Sequence, residues 1–210
     1  MALKLLLAAA ALVVGGAIVS YLLVRRRHRD WRHFARRHAL HFATTGTGPT
    51  VFGNVDGRHV VLRVRDKGSE TNELGVAPIR IAVALDGVVP ADLRVSESGP
   101  GVRAVWKIVD DKVVETGDGA FDGRFLVRAS NPGDARAYLD ADRRATLLDL
   151  AGANDSGLVG IENRALYVDA RSIVSGEDSL DSTLDLLLQS GRRLDAVDTD
   201  ALPARAASAS

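Results

Sequence analysis

The longest uniform pattern in the sequence is a run of twenty uncharged, mainly apolar residues from Leu5 to Val24. A helix rises ~1.5 Å per residue, so the run would measure about 30 Å, the thickness of a bilayer hydrocarbon core. The pattern predicts a transmembrane helix, with residues 1–24 as an amino-terminal anchor. The two alternatives are a cleaved signal peptide, whose apolar core is usually shorter, and a core helix that is apolar on every side.

After this run the apolar residues adopt the spacing of an amphipathic helix. Between Asp30 and Phe42, apolar or aromatic side chains recur every three or four residues, and Arg32 and its neighbouring arginines fall elsewhere on the helical wheel. We therefore assign residues 25–42 to a basic juxtamembrane helix. Trp31 is close enough to the anchor to lie at the membrane interface, where Trp is favoured. The alternative, which is compatible with the first, is that Trp31 and Phe34 dock this helix on the domain.

Further along the chain, apolar and polar residues alternate as they do in half-buried strands. Asp56-Gly57 separates two such runs and predicts a hairpin, because both central residues of a type I′ turn need positive φ. Residues 157–162 and 165–170 predict a second hairpin across Asn163-Arg164. Residues 79–85 predict a further strand, whereas residues 44–49 have the composition of a linker.

The helical patterns lie mainly in the second half of the chain. Asn131-Pro132 and Asp140 are typical of helix starts, and leucines at helical spacing predict a last helix over residues 178–194. Early strands followed by late helices, without β–α–β alternation, favour an α+β fold with a mainly antiparallel sheet. We assign residues 43–194 to this soluble domain and residues 195–210 to a disordered tail.

The charges are divided sharply between the two ends of the chain, although the formal net charge is zero. Residues 1–41 contain eight basic residues and one acidic residue, whereas residues 42–210 contain 19 basic and 26 acidic residues. Positive flanks of membrane helices stay in the cytoplasm, so residues 25–210 are predicted to be cytoplasmic, at the inner (plasma) membrane. The acidic body argues against nucleic-acid binding.

Two contacts with the membrane follow from this placement. The Arg25–Arg37 block is expected to bind anionic headgroups, at ~1 kcal/mol for each basic residue near the surface. The residues predicted to touch the membrane surface are Arg25, Arg26, Arg27, Arg29, Trp31 and Arg32. Within the anchor, Gly16 and Ser20 form a small-xxx-small pattern, which favours a weak homodimer of two anchor helices.

Candidate chemistry is sparse. Asp110, Asp111, Asp118 and Asp122 form an acidic cluster among glycines, but Asp-Gly pairs are primarily turn formers and the spacing does not fit a calcium loop. His38 and His41 are three residues apart on the predicted helix, a spacing used by metal ligands, without a third ligand nearby. We assign no catalytic, cofactor or metal-binding residue, and the chain contains no cysteine.

The segment Thr116-Gly117-Asp118, followed by Phe121-Asp122, Phe125 and Val127, resembles one found in a group of bacterial membrane-anchored proteins with a domain of unknown function. The resemblance extends over about residues 31–190 and includes a Gly-x-x-x-Gly hairpin, here Gly53 and Gly57. It implies a membrane anchor and no particular activity. From the residues themselves, Phe121 and Phe125 predict a core plug whose turn is tied by the two aspartates.

The leading hypothesis is a membrane-tethered, cytoplasm-facing binding or scaffolding domain with a protein partner. The alternative is a membrane-bound enzyme, similar to a hydrolase, with a site near Asp118 and Asp122.

Overall fold

The computed structural model describes residues 25–26, 28–46, 48–65, 78–98, 112–154, 157–170 and 177–196. A first helix, α1, covers residues 28–37, and residues 25–26 are also helical. The strands are β1 (His41–Thr45), β2 (Gly48–Val55), β3 (Arg58–Val64), β4 (Ile79–Ala84), β5 (Arg94–Glu97), β6 (Val113–Val114), β7 (Phe125–Arg128), β8 (Gly157–Glu162) and β9 (Ala165–Ala170). The further helices are α2 (Gly119–Arg124), α3 (Pro132–Tyr138), α4 (Ala141–Ala153) and α5 (Glu177–Asp195).

The described strands form one sheet in the order β1-β2-β3-β4-β9-β8-β5-β7-β6, and every described pairing is antiparallel. The predicted α+β fold with a mainly antiparallel sheet is confirmed. Strand β9 pairs with β4, and β8 pairs with β5. The hairpin β8–β9 therefore lies in the sheet between strands β1 to β4 on one side and strands β5, β7 and β6 on the other.

The hydrophobic core lies on one face of this sheet, under the helices. The strand register places one row of apolar residues on that face, and its members are Phe42, Val51, Leu62, Ile81, Val168 and Val159. Helix α5 packs over β4 and β9 with the buried stripe Leu180, Leu184, Leu187 and Leu188. Each such side chain contributes roughly 1.5–3 kcal/mol when fully buried, so this face holds the fold together.

The opposite face, which we call the outer face, carries a different row. Its members in strand order are His41, Phe52, Val61, Ala82, Tyr167 and Gly160. Phe52 is 39% exposed, whereas Tyr167 is buried over Gly160. A Cβ atom at Gly160 would lie 2.5 Å from the Tyr167 hydroxyl oxygen, so this position must remain glycine for the ring to lie flat on the sheet.

Both predicted hairpins are confirmed, with the backbone conformations that their turns require. Asp56 and Gly57 have φ values of 51° and 82°, and Asn163 and Arg164 have 52° and 60°. The predicted helix starts are confirmed as well: Asn131 accepts hydrogen bonds from Gly133 N and Asp134 N, and Asp140 accepts one from Arg143 N.

The region after α1 differs from the prediction. The helix ends at residue 37, because Ala39 takes a positive φ of 54° and Leu40 N donates to Ala35 O at 2.7 Å. His38 lies in the turn after α1 and His41 begins β1, so the two histidines do not share a helix. The predicted linker over residues 44–49 is also wrong, since Thr44 pairs with Pro49 and Thr45 with Gly48 across a hairpin.

Two local elements were assigned differently in the sequence. In the segment where the sequence predicts a turn tied by Asp118 and Asp122, residues 119–124 form the short helix α2 before β7 begins at Phe125. Asp195 was assigned to the tail, yet it lies in α5 and binds the loop before β5, as described below.

Several predictions concern residues outside the described part of the chain. They include the anchor over residues 5–24, the Gly16 and Ser20 pair, Arg27, and Asp110 with Asp111. Among the helices that the structure describes, none combines the length and the apolar character needed to cross a membrane.

Candidate functional site

Helix α1 has two sides of opposite character. Trp31, Phe34 and Ala35 are buried in the core cluster. Arg29, Arg32 and Arg36 are exposed and recur at spacings of three and four, so they form one stripe on the other side of the helix. The amphipathic pattern predicted from the sequence is thus confirmed, and the three arginines lie on the exposed side of the helix.

The burial of Trp31 bears on both roles considered for it. Its side chain has no exposed surface, so it docks α1 on the domain and does not touch a membrane surface. The assignment of Trp31 to the membrane-surface set is therefore wrong. The other described members of that set, Arg25, Arg26, Arg29 and Arg32, are exposed.

Helix α1 is also joined to α5 by charged groups at its carboxyl end. Asp181 accepts from the guanidinium of Arg37 at 2.8 Å and contacts His38 Nε2 at 2.9 Å. Core packing holds the middle of this short helix, and the ion pair holds its carboxyl end. Together they fix its orientation relative to the sheet.

A concavity of about 1390 Å³ lies between α1 and β1. Five arginines line it, namely Arg25, Arg26, Arg29, Arg32 and Arg36, together with three histidines, His28, His33 and His41. Its apolar lining is supplied by Ala35, Leu40 and Phe42. We call this feature the basic cleft.

The basic cleft retains a large excess of positive charge. Among its described lining residues there is no aspartate or glutamate. The nearby carboxylate of Asp30 is buried, and its oxygens lie 3.9 Å from Arg26 Nε and 3.6 Å from Arg29 Nε. Those two arginine side chains are nevertheless 61% and 70% exposed. One carboxylate cannot neutralise five guanidinium groups, so the cleft attracts anions.

Phe42 gives one side of the cleft an aromatic surface. The Arg32 guanidinium carbon lies 5.0 Å from the centre of its ring, and the His28 ring meets it edge-on at 6.1 Å. A cation over an aromatic face is attracted by the ring quadrupole. The contact directs one arginine along the wall of the cleft, next to apolar surface.

The two aspartates of the sequence cluster that the structure describes hold a turn. Asp118 caps α2 by accepting from Ala120 N at 3.1 Å and Phe121 N at 3.2 Å, and its other oxygen accepts from Arg144. These bonds, led by the one from Phe121 N, lower the pKa of the Asp118 carboxyl. Asp122 accepts from Thr116 N and Oγ1 and from Gly117 N at 3.0–3.1 Å.

The same turn positions the predicted core plug. Phe121 and Phe125 are both buried, and their rings stack at 4.8 Å with an interplanar angle of 22°. The structural interpretation of this segment is confirmed: the aspartates tie the turn and the two rings fill the core. All four carboxylate oxygens of Asp118 and Asp122 accept hydrogen bonds from the protein itself.

The outer face carries a second group of arginines, which the sequence analysis did not predict. Arg80 forms a two-bond ion pair with Asp169, at 2.7 and 2.8 Å, and also donates to Glu162 at 2.7 Å. Arg65 donates to the same Asp169 at 2.9 Å, and the Arg80 guanidinium carbon lies 3.8 Å above the Tyr167 ring. We call these five residues the Arg80 network.

Burial affects the protonation of the Arg80 network. It lowers the pKa of Arg80, but the bonds to Asp169 and Glu162 outweigh this effect and raise the pKa overall. Burial also raises the pKa of Tyr167 to about 12. The guanidinium and the phenol therefore keep their protons over the whole physiological range, which makes this network a poor proton donor or acceptor for catalysis.

Asp195 forms a further contact that the sequence did not indicate. Its carboxylate binds the buried Arg58 and accepts from Asp86 N at 3.0 Å and Gly87 N at 2.8 Å. The end of α5 is thereby attached to the loop that follows β4. Within the described residues no group of three or more histidine, aspartate or glutamate side chains is arranged to hold a metal ion.

Comparison with solved structures finds the crystal structure of the mycobacterial trehalose monomycolate transport factor A, TtfA, with a TM-score of 0.50. The two chains are 17% identical, and the match covers 83% of this chain and 93% of that one. At this identity the likeness shows a shared fold and nothing more. No family model and no curated protein matches the sequence.

Proposed function

We propose that this protein is a single-pass membrane protein whose α+β domain faces the cytoplasm and acts as a binding module held against the inner leaflet. Residues 5–24 supply the anchor, and the exposed arginines of α1 supply the contact with anionic headgroups. A cytoplasmic orientation agrees with the arginines that follow the apolar run.

The observation that carries this proposal is the two-sided burial of α1. Its apolar residues belong to the domain core, whereas Arg29, Arg32 and Arg36 are exposed. The helix that follows the anchor is thus part of the domain and is not a flexible tether. A domain joined in this way presents one fixed side to the membrane and leaves the rest of its surface for partners.

The shared fold with TtfA supports a more specific role. That protein is named for the transport of trehalose monomycolate, which is a glycolipid. We propose by analogy that this chain is an accessory component of a membrane system that moves lipids, and that it contributes binding and not catalysis. The hydrogen-bonded state of Asp118 and Asp122 gives the enzyme alternative no support.

Topology is tested by fusing a reporter after Ser210 in the full-length chain. A reporter that works only in the cytoplasm should be active, and one that works only across the membrane should be silent. As a control, Val14→Arg places a charge in the middle of the apolar run, at about 2.5–3.5 kcal/mol, and should release protein from the membrane fraction. A reporter active only on the far side would overturn the orientation.

The transport role is tested by depleting the protein in its host and measuring how envelope glycolipids divide between the two sides of the inner membrane. We expect precursors to accumulate on the cytoplasmic side. An unchanged distribution after full depletion would contradict the accessory role while leaving the topology intact.

A further inference from the structure

We propose that the basic cleft is a discrete binding site for the phosphate-bearing headgroup of an anionic membrane lipid. This inference rests on the proposed tethering and goes beyond it, because it replaces diffuse attraction between arginines and a charged surface by a saturable site of defined residues. The ligand class is a phosphodiester with attached apolar chains.

The first argument is charge. Five arginines from one helical stretch line a volume of about 1390 Å³, and no described lining residue is acidic. Guanidinium groups bind phosphate oxygens through paired N–H donors, which makes arginine the side chain best suited to this anion. Arg29, Arg32 and Arg36 follow one another at spacings of three and four on one side of the helix, so neighbouring guanidinium groups can face the same anion.

The second argument is the apolar wall. Phe42 and Leu40 line the same cleft as the arginines, and Arg32 lies over the Phe42 ring. Inorganic phosphate gains nothing from this surface, whereas a lipid presents glycerol and the first methylene groups beside its phosphate. Mixed lining of this type matches an amphiphile.

The third argument is position. Arg25, which lines the cleft, is the residue directly after the apolar run that ends at Val24. If that run spans the bilayer, Arg25 lies at the depth of the headgroups. The packing of Trp31 and Phe34 in the core fixes the remaining arginines of α1 relative to the domain.

The test uses the full-length protein in a neutral detergent, titrated with dioctanoyl phosphatidylglycerol and followed by calorimetry. We expect saturable binding to one site. Dioctanoyl phosphatidylcholine, which has no net charge, should bind at least 10-fold more weakly, and inorganic phosphate should bind weakly because it lacks the chains. Equal binding of the two lipids would overturn the proposal.

Variants locate the site. Arg32→Gln combined with Arg36→Gln should weaken binding about 30-fold, which corresponds to ~1 kcal/mol for each arginine. The matched control is Arg136→Gln combined with Arg193→Gln, two exposed arginines on α3 and α5 outside the cleft. It carries the same change of charge and should leave the affinity unaltered. Equal losses in both pairs would mean that net charge alone controls binding.

A third variant separates the two sources of phosphate. Phe42→Ala should weaken binding of the lipid and leave the weak binding of inorganic phosphate unchanged. Phosphate that binds as tightly as the lipid would show a site for a soluble anion and overturn the lipid assignment. A binding signal that rises with lipid concentration without saturating would also overturn the site. An active reporter on the far side of the membrane would instead overturn the proposed function.

Discussion

The basic cleft and the Arg80 network contain the same side chain in opposite physical states. In the network, the Arg80 side chain is 7% exposed and forms four contacts of defined geometry with two carboxylates and one ring. In the cleft, the side chain of Arg29 is 70% exposed and approaches one carboxylate at 3.6 Å. Burial and pairing therefore separate arginines that stabilise the fold from arginines that remain available for a ligand.

This difference follows from how an ion is desolvated. A buried charge loses its hydration and must recover it from partners, so removing either partner leaves the other with an uncompensated charge. An exposed charge keeps its water and loses little when its neighbour is removed. Substitutions in the two regions should consequently change different observables.

The largest effect is expected in the network. Arg80→Met should lower the free energy of unfolding by about 3–5 kcal/mol, because it leaves the buried Asp169 with Arg65 alone among its described partners. The double variant Arg80→Met with Asp169→Leu should recover most of this loss, since neither charge then remains buried. The measurement is urea unfolding of the full-length protein in detergent. A single variant as stable as the wild type would contradict the structural role.

An intermediate effect is expected for Asp122, which is buried and accepts from two backbone N–H groups. Asp122→Ala should cost about 1–3 kcal/mol, because those donors lose their acceptor. Asp118→Asn should be milder, since Asn also caps helices. Thermal melting of both variants, with and without added calcium, checks this order. A calcium-induced rise of the wild-type melting temperature that both variants abolish would favour a cation site instead.

A smaller effect is expected from acid. Burial raises the pKa of Glu162, but the hydrogen bond and charge of Arg80 lower it by a larger amount. The net shift of this pKa is therefore downward from 4.5. A group with a depressed pKa stabilises the folded state above its unfolded pKa, and this contribution disappears as the pH falls through the folded value. The stability difference between wild type and Glu162→Gln should therefore be present at pH 6 and shrink toward pH 3. A difference that is constant over this range would contradict the sign of the shift.

The smallest effect on stability is expected in the cleft. Arg32→Gln with Arg36→Gln should change the free energy of unfolding by no more than about 0.5 kcal/mol, because both side chains are exposed. Their contribution to lipid binding should fall with salt, as the screening length shortens from about 10 Å at 0.1 M to about 3 Å at 1 M. A large loss of stability in this pair would remove the contrast between the two regions.

The local elements were well predicted because short-range chemistry fixes them. Asp56-Gly57 supplies the positive φ values of one turn, and Asn131 and Asp140 supply acceptors at helix starts. The leucine stripe of α5 follows directly from the helical period. Each of these features depends on residues fewer than about ten positions apart.

The features that were missed depend on distant partners. The segment that forms β1 was predicted as the end of a helix up to Phe42 and the start of a linker at Thr44, and it becomes a strand because Phe42 pairs with Val51 over the buried face. The Arg80 network joins residues 82 and 89 positions apart in the sequence. Strand order brings Glu162 and Asp169 beside β4, and nothing in the local pattern of either strand indicates which strand will be its neighbour.

The candidate site was predicted in part. The arginine stripe of α1 follows from helical spacing, but the concavity requires β1, which the sequence did not reveal. Trp31 was assigned to the membrane from its nearness to the anchor, and only its burial shows the contrary. A surface formed by two elements could not be deduced from either one alone.

The central claim, that the cleft side of the domain lies against the lipid, can be measured with a matched pair of labels. The chain contains no cysteine, so His33→Cys in the cleft and His59→Cys on β3 each give a single attachment site. Both histidines are exposed in the structure. Spin labels at these positions, in full-length protein reconstituted into nanodiscs with phosphatidylglycerol, report contact with membrane-soluble oxygen or with a water-soluble nickel complex. The account predicts oxygen contact at position 33 and nickel contact at position 59. Equal exposure of both labels to the nickel complex would contradict it.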